Sequence, residues 1–252
     1  MSKTESTSHH ISWLERAGDD FPFYNDSPTH INLKSWLVIL LGVTIGFTVL
    51  TVEMPLLTGE FSGVLRSVLF FSIPLLAYYL IAKPFFHAIF RKLSWRSVGV
   101  MFFIALLNLV VTVSIGAIFL NTLGAESNAA LVALKDQDLQ QRLLFLLQSI
   151  PQLFGEEVLT ILPFLAFLYV GYSKLGLSRR MSVLLAWFLS SLVFGLVHLP
   201  SYNWNWAQCI VVIGSARLIL SLAYIRTKNI WVSTGAHIIN DWVIFLLVMA
   251  AA

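Results

Sequence analysis

The sequence predicts an all-α fold, a polytopic transmembrane helical bundle of about seven spans with an eighth left open. Three observations support this: 58% of the residues are hydrophobic, only 12% are charged, and the mean hydropathy is +0.80. A soluble domain of similar size carries about 25% charged residues. So much apolar surface cannot fit inside one water-soluble core, so we expect lipid to surround the protein.

Seven apolar runs reach the length of about 20 residues that a spanning helix needs. We predict spans at 35–57, 64–82, 97–121, 143–172, 181–200, 207–225 and 230–250. The fourth run contains Pro151 and Pro163, so we expect it to be kinked or divided. The stretch 84–95 mixes phenylalanines with Arg91 and Lys92, which predicts an amphipathic helix at the membrane surface. If that stretch crossed the membrane instead, it would be the eighth span.

The chain divides into a polar N-terminal tail, 1–34, which we expect to be flexible, and a transmembrane domain, 35–252. The net charge of +3 comes from basic residues in short loops, so it does not predict a nucleic-acid partner. Nine of the 16 basic residues fall in the loops after spans two, four and six: Lys83, Arg91, Lys92, Arg96, Lys174, Arg179, Arg180, Arg226 and Lys228. The positive-inside rule places these loops, and with them the N-terminus, in the cytoplasm.

Several ionisable side chains lie within or at the ends of the predicted spans, where a charge costs roughly 2.5–3.5 kcal/mol at a helix centre. They predict a polar functional site inside the membrane. The candidate site residues are Glu156, Glu157, His198, His237 and Asp241. His237 and Asp241 are four residues apart and therefore share one helix face.

The two adjacent glutamates point about 100° apart on a helix, so they cannot both face one pocket. We expect one to face the reacting atoms and the other to brace the helix or pair with a cation. A carboxylate in a poorly solvated pocket is a useful general base, and a histidine can orient a water or stabilise an oxyanion. These residue types are also zinc ligands, so a zinc site at Glu156, His198 and His237 stays open.

The order of these residues resembles a known family. The CPBP family of CAAX-protease and bacteriocin-processing enzymes, also called Abi proteins, has the patterns EExxxR, FxxxH and HxxxN or HxxxD on three helices. This chain has Glu156-Glu157, Phe194 to His198, and His237 to Asp241. The similarity covers about 150–245, within a catalytic core at about 142–250.

The resemblance implies a glutamate-dependent intramembrane endopeptidase that needs no cofactor and acts on a membrane-associated peptide or protein. It implies that Glu156 activates water, His198 positions that water, and His237 and Asp241 stabilise the oxyanion or support the site. Glu157 would support the site from behind. The resemblance also implies a bacterial inner membrane and substrates such as leader peptides, other membrane proteins or prenylated-type C-terminal peptides.

One position departs from the family pattern. The expected arginine, four residues after the second glutamate, is Ile161. Arg217, in the middle of span six, could supply the missing charge; the alternatives are that it pairs with Asp241 or snorkels to the membrane surface.

Three other functions stay open from the residues alone. The chain could be a non-proteolytic immunity or regulatory protein that keeps the fold, a zinc-dependent peptidase that uses the same residues, or a transporter. A transporter would want a polar pathway through several spans, and spans one to three offer few polar residues. The sequence leaves the oligomeric state open, since the pattern from Gly42 to Gly46 fits either close helix packing or a dimer face.

The predicted depths of the site residues do not agree. At 1.5 Å per residue, Glu156 lies about 24 Å from the cytoplasmic end of span four and His237 about 10 Å from that of span seven. Either the helix boundaries differ from those predicted, or the helices are tilted or broken, with Pro163, Ser233 and Gly235 as candidate break points.

Overall fold

The computed structural model describes residues 10–53, 55–59 and 61–251, which form helices and loops without strands. Seven of the described helices are long and apolar enough to cross a membrane. This confirms the predicted fold class and the number of spans, and the chain is an integral membrane protein.

The helices have the following bounds in chain order. They are α1 (Leu33–Thr51), α2 (Ser62–Ala82), α3 (Trp95–Leu123), the short α4 (Ala129–Lys135), α5 (Leu139–Tyr169), α6 (Arg179–Val197), α7 (Gly214–Thr227) and α8 (Ile230–Ala251). A π-helical turn, Val170–Lys174, extends α5, and a helical turn with a second π-turn, Trp206–Ile213, leads into α7.

Helix α5 is the centre of the bundle. It packs against α2, α6 and α8, while α7 packs against α3, α6 and α8. In an apolar stretch of 18 residues within the span that contains α5, 78% is buried inside the protein. The corresponding share is 22% for α2, α3 and α8. Polar groups on α5 are therefore shielded from lipid by the surrounding helices.

The proline-containing helix is continuous, and so is α8. Pro151 and Pro163 lie inside α5, and Ser233 and Gly235 lie inside α8. The expected break points are therefore wrong. Proline is tolerated within membrane helices because neighbouring helices satisfy the freed backbone groups, and α5 has such neighbours on several sides.

Two glycines of α1 face α2. A Cβ on Gly46 would lie 2.5 Å from the Phe70 carbonyl oxygen, and one on Gly42 would lie 3.2 Å from the Ala77 Cβ. The Gly42–Gly46 pattern therefore marks close packing within this chain.

The predicted amphipathic helix at 84–95 is not formed. The stretch holds a 3-10 turn, Phe86–Ile89, followed by irregular backbone up to Ser94. Phe86 and Phe90 pack against the core, with their rings 5.0 Å apart and Phe90 in contact with Trp231, whereas Phe85 is exposed. Because the segment packs on the protein and is only a turn, it is neither a surface helix nor an eighth span.

The N-terminal segment is packed rather than loose. From residue 10 onward it buries apolar side chains in the main core, which are Ile11, Leu14, Phe21, Phe23, Tyr24 and Ile31. The expectation of a flexible tail is therefore corrected for residues 10–34, because apolar residues spaced among polar ones allow the segment to bury one side. The part of that expectation on residues 1–9 lies outside the described residues.

A buried ion cluster fixes this segment to the bundle. Glu15, whose side chain is fully buried, accepts hydrogen bonds from Arg179 (Nη2–Oε2 2.6 Å) and Lys228 (Nζ–Oε2 3.0 Å). Burial alone would raise the pKa of Glu15, but the hydrogen bond from Arg179 and the charge of Lys228 lower it to about 2. Asp19 pairs with Arg91 at 2.7 Å. The N-terminal segment and several of the basic loops therefore meet at one end of the bundle, which we call the basic end; its placement in the cytoplasm stays a prediction.

Candidate active site

A cavity of about 330 Å³ lies between α5, α6, α7 and α8, and residues of α3 and α4 also line it. Four of the predicted site residues line it, namely Glu156, His198, His237 and Asp241. Apolar side chains such as Phe145, Leu153 and Phe245 form other parts of the wall. The cavity thus combines apolar side chains with many convergent polar groups, an arrangement that suits a ligand or substrate site.

The site residues meet although their predicted depths disagree. The loop before α8 does not reach the surface: Lys228 is 0% exposed and Asn229 2%. The Asn229 side chain exchanges hydrogen bonds with the backbone of Arg91, and Lys228 pairs with Glu15. Because these segments cover it, α8 begins inside the protein, and His237 reaches the level of Glu157 without a break in any helix.

The two adjacent glutamates have different surroundings. Glu156 lines the cavity, and its side chain keeps 13% exposure. Glu157 is fully buried and receives two hydrogen bonds from Arg217, Nη1–Oε1 at 2.6 Å and Nη2–Oε2 at 2.9 Å. This arrangement agrees with the expectation that one glutamate faces the pocket and the other pairs with a cation.

Arg217 does not pair with Asp241, and it does not extend to the membrane surface. It is 0% exposed, and its guanidinium also lies 5.0 Å from the centre of the Phe194 ring. Ile161, at the position of the family arginine, is buried in the hydrophobic core. The guanidinium next to the second glutamate therefore comes from α7 instead of from α5.

The two histidines are oriented by hydrogen bonds at Nδ1. The Nδ1 of His198 lies 2.7 Å from the Phe194 carbonyl oxygen, and the Nδ1 of His237 lies 2.9 Å from Glu157 Oε1. A carbonyl oxygen can only accept a hydrogen bond, and the same is true of a carboxylate that is paired with an arginine. Each Nδ1 therefore carries the proton. In the neutral rings the Nε2 atoms are then free acceptors.

Both Nε2 atoms point towards Glu156. Its Oε2 lies 4.0 Å from His198 Nε2 and 3.8 Å from His237 Nε2, and Asp241 Oδ2 lies 3.7 Å from the same His237 atom. These separations are too long for direct hydrogen bonds. Gaps of this length suit a small molecule that bonds to more than one of the atoms, as water does in many active sites.

Three further residues act on this constellation without having been identified from the sequence. Gln152, one turn before Glu156, donates to its Oε1 at 3.3 Å. Asn240 donates to Asp241 Oδ1 at 2.8 Å. Tyr202 lines the cavity and, because burial raises the pKa of its hydroxyl, remains a proton donor. The spacing of four between Gln152 and Glu156 was a usable signal; the contacts of the other two depend on tertiary packing.

A metal site was tested on the geometry of possible ligands. Within residues 10–53, 55–59 and 61–251, no group of three or more His, Cys, Asp or Glu side chains was found that could hold a metal ion. The possibility of zinc at Glu156, His198 and His237 is therefore left to experiment.

Comparison with known proteins gave one match. Residues 138–243 match the family model described as type II CAAX prenyl endopeptidase Rce1-like. The matched segment runs from the start of α5 into α8 and contains every residue of the constellation around Glu156. No match was found among curated proteins or among solved structures.

Proposed function

Because residues 138–243 match the Rce1-like family model, we propose that this integral membrane protein is an endopeptidase that hydrolyses a peptide bond with a water activated by Glu156. The observation that carries this proposal is the convergence of Glu156 Oε2 with the Nε2 atoms of His198 and His237. A carboxylate and two histidine nitrogens in a mostly apolar cavity form a suitable place to hold and deprotonate one water.

In the first step Glu156 takes a proton from the water, whose oxygen attacks the carbonyl carbon of the scissile bond. His198 orients the water, because its Nε2 accepts a hydrogen bond while Nδ1 is held by the Phe194 carbonyl. Gln152 holds the other oxygen of Glu156 and so keeps Oε2 directed into the cavity.

The attack produces a tetrahedral intermediate with a negative oxygen. His237 Nδ1 lies 2.9 Å from Glu157 Oε1 and its Nε2 lies 3.7 Å from Asp241 Oδ2, so a carboxylate is close to each ring nitrogen. When both nitrogens carry a proton, Nε2–H donates to the oxyanion, a contribution that is large in a site with little water. Collapse of the intermediate breaks the C–N bond, and the proton on Glu156 passes to the leaving amine. One water is consumed, and a carboxylic acid and an amine are formed, the acid then passing its proton to the amine or to solvent.

The cavity's location and lining support a membrane-associated substrate. The cavity lies within the transmembrane bundle and is walled partly by Phe145, Leu153 and Phe245. An extended segment of a membrane-associated peptide or protein fits such a surface, because the apolar side chains of the substrate can pack against the wall while its backbone reaches the polar atoms.

The proposal is tested on purified protein in detergent with a library of fluorogenic peptides. The parent is compared with Glu156→Gln and His198→Ala, each required to elute as the parent does on size exclusion. Cleavage by the parent, lost in Glu156→Gln and unaffected by a chelator, is the expected result.

Two results would redirect the assignment. Cleavage that a chelator abolishes and zinc restores would replace glutamate catalysis with metal catalysis. A parent that cleaves nothing, together with an unchanged cellular phenotype in Glu156→Gln, would indicate a non-proteolytic membrane protein that keeps the fold.

A further inference from the structure

A second polar contact reaches the site from a helix outside the matched segment. Asn108 lies in α3, a helix that is largely exposed to lipid, yet its own side chain is 1% exposed. Its Nδ2 donates to Asn240 Oδ1 at 2.9 Å. A buried amide inside a membrane is costly unless it is bonded, so this contact is a specific feature of the α3–α8 packing.

The contact continues to the catalytic constellation. Asn240 Nδ2 donates to Asp241 Oδ1 at 2.8 Å, and Asp241 Oδ2 lies 3.7 Å from His237 Nε2. On the other side, Thr112 donates to Asn108 Oδ1 at 3.4 Å. Each donor points the same way, so a chain of hydrogen bonds runs from Thr112 through both asparagines to Asp241.

The direction of this chain matters because an asparagine amide can rotate by 180° and exchange its oxygen with its nitrogen. Asn108 presents a donor to Asn240, so the Asn240 oxygen must face Asn108 and its nitrogen must face Asp241. Without the donor of Asn108, the Asn240 amide loses one of the two bonds that hold this orientation, the other being its own bond to Asp241. In the rotated state its oxygen would face the Asp241 carboxylate, and two acceptors would repel each other.

From these contacts we propose that Asn108 is a positioning residue: it fixes the Asn240 amide and, through it, holds the Asp241 carboxylate beside His237. This inference rests on the proposed function, and it assigns a role to a residue of α3, which lies outside the matched segment 138–243. Asn108 also lines the cavity, and its side-chain nitrogen donates to Asn240, so we expect it to act on the rate through the placement of Asp241.

The test compares Asn108→Leu with Asn121→Leu in the same helix. Asn121 is exposed and donates only to the Ala117 carbonyl one turn away, so its replacement makes the same chemical change without touching the chain to Asp241. For both variants and the parent, kcat, KM and the midpoint of thermal unfolding are measured in detergent on the monodisperse fraction, with the best peptide found for the parent.

We expect kcat of Asn108→Leu to fall roughly tenfold to a hundredfold, the range that a small misplacement of a reacting group produces. KM should stay within about threefold, and Asn121→Leu should match the parent, as interactions made only in the transition state affect kcat. Asn240→Leu should show the same loss as Asn108→Leu, and the double variant no further loss, because both act through one carboxylate.

An unchanged kcat in Asn108→Leu would overturn the inference while the parent remains active. If the unfolding midpoint of that variant were lower at the same time, the asparagines would only hold α3 against α8. Failure of the proposed function is seen separately, in a parent that does not cleave or in a Glu156→Gln variant that cleaves equally well, and it would remove the inference as well.

Discussion

Arg217 donates two parallel hydrogen bonds to Glu157, and neither side chain has any exposed surface. The pair links α7 to α5, and Glu157 Oε1 also accepts from His237 Nδ1 on α8. Three helices are therefore joined at one carboxylate directly behind the cavity. A bidentate arginine–carboxylate pair fixes both distance and angle, so it orients the imidazole of His237 as well as connecting the helices.

Removal of either charge should damage this junction more than removal of both. We expect Arg217→Leu and Glu157→Leu each to lower the free energy of unfolding by about 3–5 kcal/mol, because each leaves a buried charge without its partner. The double variant should regain a large part of that loss, since leucines can pack where the ion pair was. Denaturant unfolding in detergent micelles measures all three; a double variant less stable than both single variants would contradict this account.

The close approach of α1 to α2 gives a second prediction. Gly46→Ala should cost roughly 1–3 kcal/mol through overpacking, because its Cβ would meet the Phe70 carbonyl at 2.5 Å. Gly116→Ala is the matched control, as a Cβ there has no neighbour within 4 Å, and alanine is the better helix former. Thermal unfolding in detergent should place Gly46→Ala below the parent and Gly116→Ala at or above it; equal midpoints for the two variants would show that the packing is looser.

The N-terminal segment should detach from the helical bundle at acidic pH. The pKa of Glu15 is lowered from 4.5 to about 2, so the unfolded chain takes up this proton at a higher pH than the folded protein. The stability contributed by Glu15 is therefore complete above pH 4.5 and is lost as the pH falls towards 2. Over that range the parent should lose more stability than Glu15→Gln, which lacks the titrating group.

Asp26→Asn provides the control for that titration. Asp26 belongs to an exposed pair with His30 in the same segment, and exposed pairs contribute little to stability. Its acid unfolding curve should follow the parent. If the free energy of unfolding of Glu15→Gln fell with pH as steeply as that of the parent between pH 4.5 and 2, the cluster of Glu15, Arg179 and Lys228 would not control acid stability.

The spans and the residues that meet at the site were predictable from the sequence because both are local signals. An apolar run of about 20 residues needs no partner to be identified, and the motifs around Glu156, His198 and His237 each lie within one helix. The agreement of their depths was not predictable. It depends on the buried loop before α8, and that burial comes from residues near positions 15 and 91.

Long-range partners account for the remaining differences. Arg217 lies 60 residues from Glu157, and Glu15 lies 164 residues from Arg179. Neither spacing has a helical or strand period, so nothing in the local pattern connects the two members of either pair. The same reasoning applies to residues 10–34: their polar composition predicts a loose tail, whereas the distant Arg179 and Lys228, together with the Ile11 amide, explain why Glu15 can be buried there.

The most direct test of the account is single-turnover cleavage by the parent, Glu156→Gln and Glu156→Asp, reconstituted in lipid vesicles at equal amounts of folded protein. If Glu156 is the general base, Glu156→Gln should be slower by roughly 10²–10⁴-fold. Glu156→Asp, which keeps a carboxylate in a shifted position, should retain more activity, and a chelator should change none of the rates. Cleavage by Glu156→Gln at the parent's rate would contradict the account.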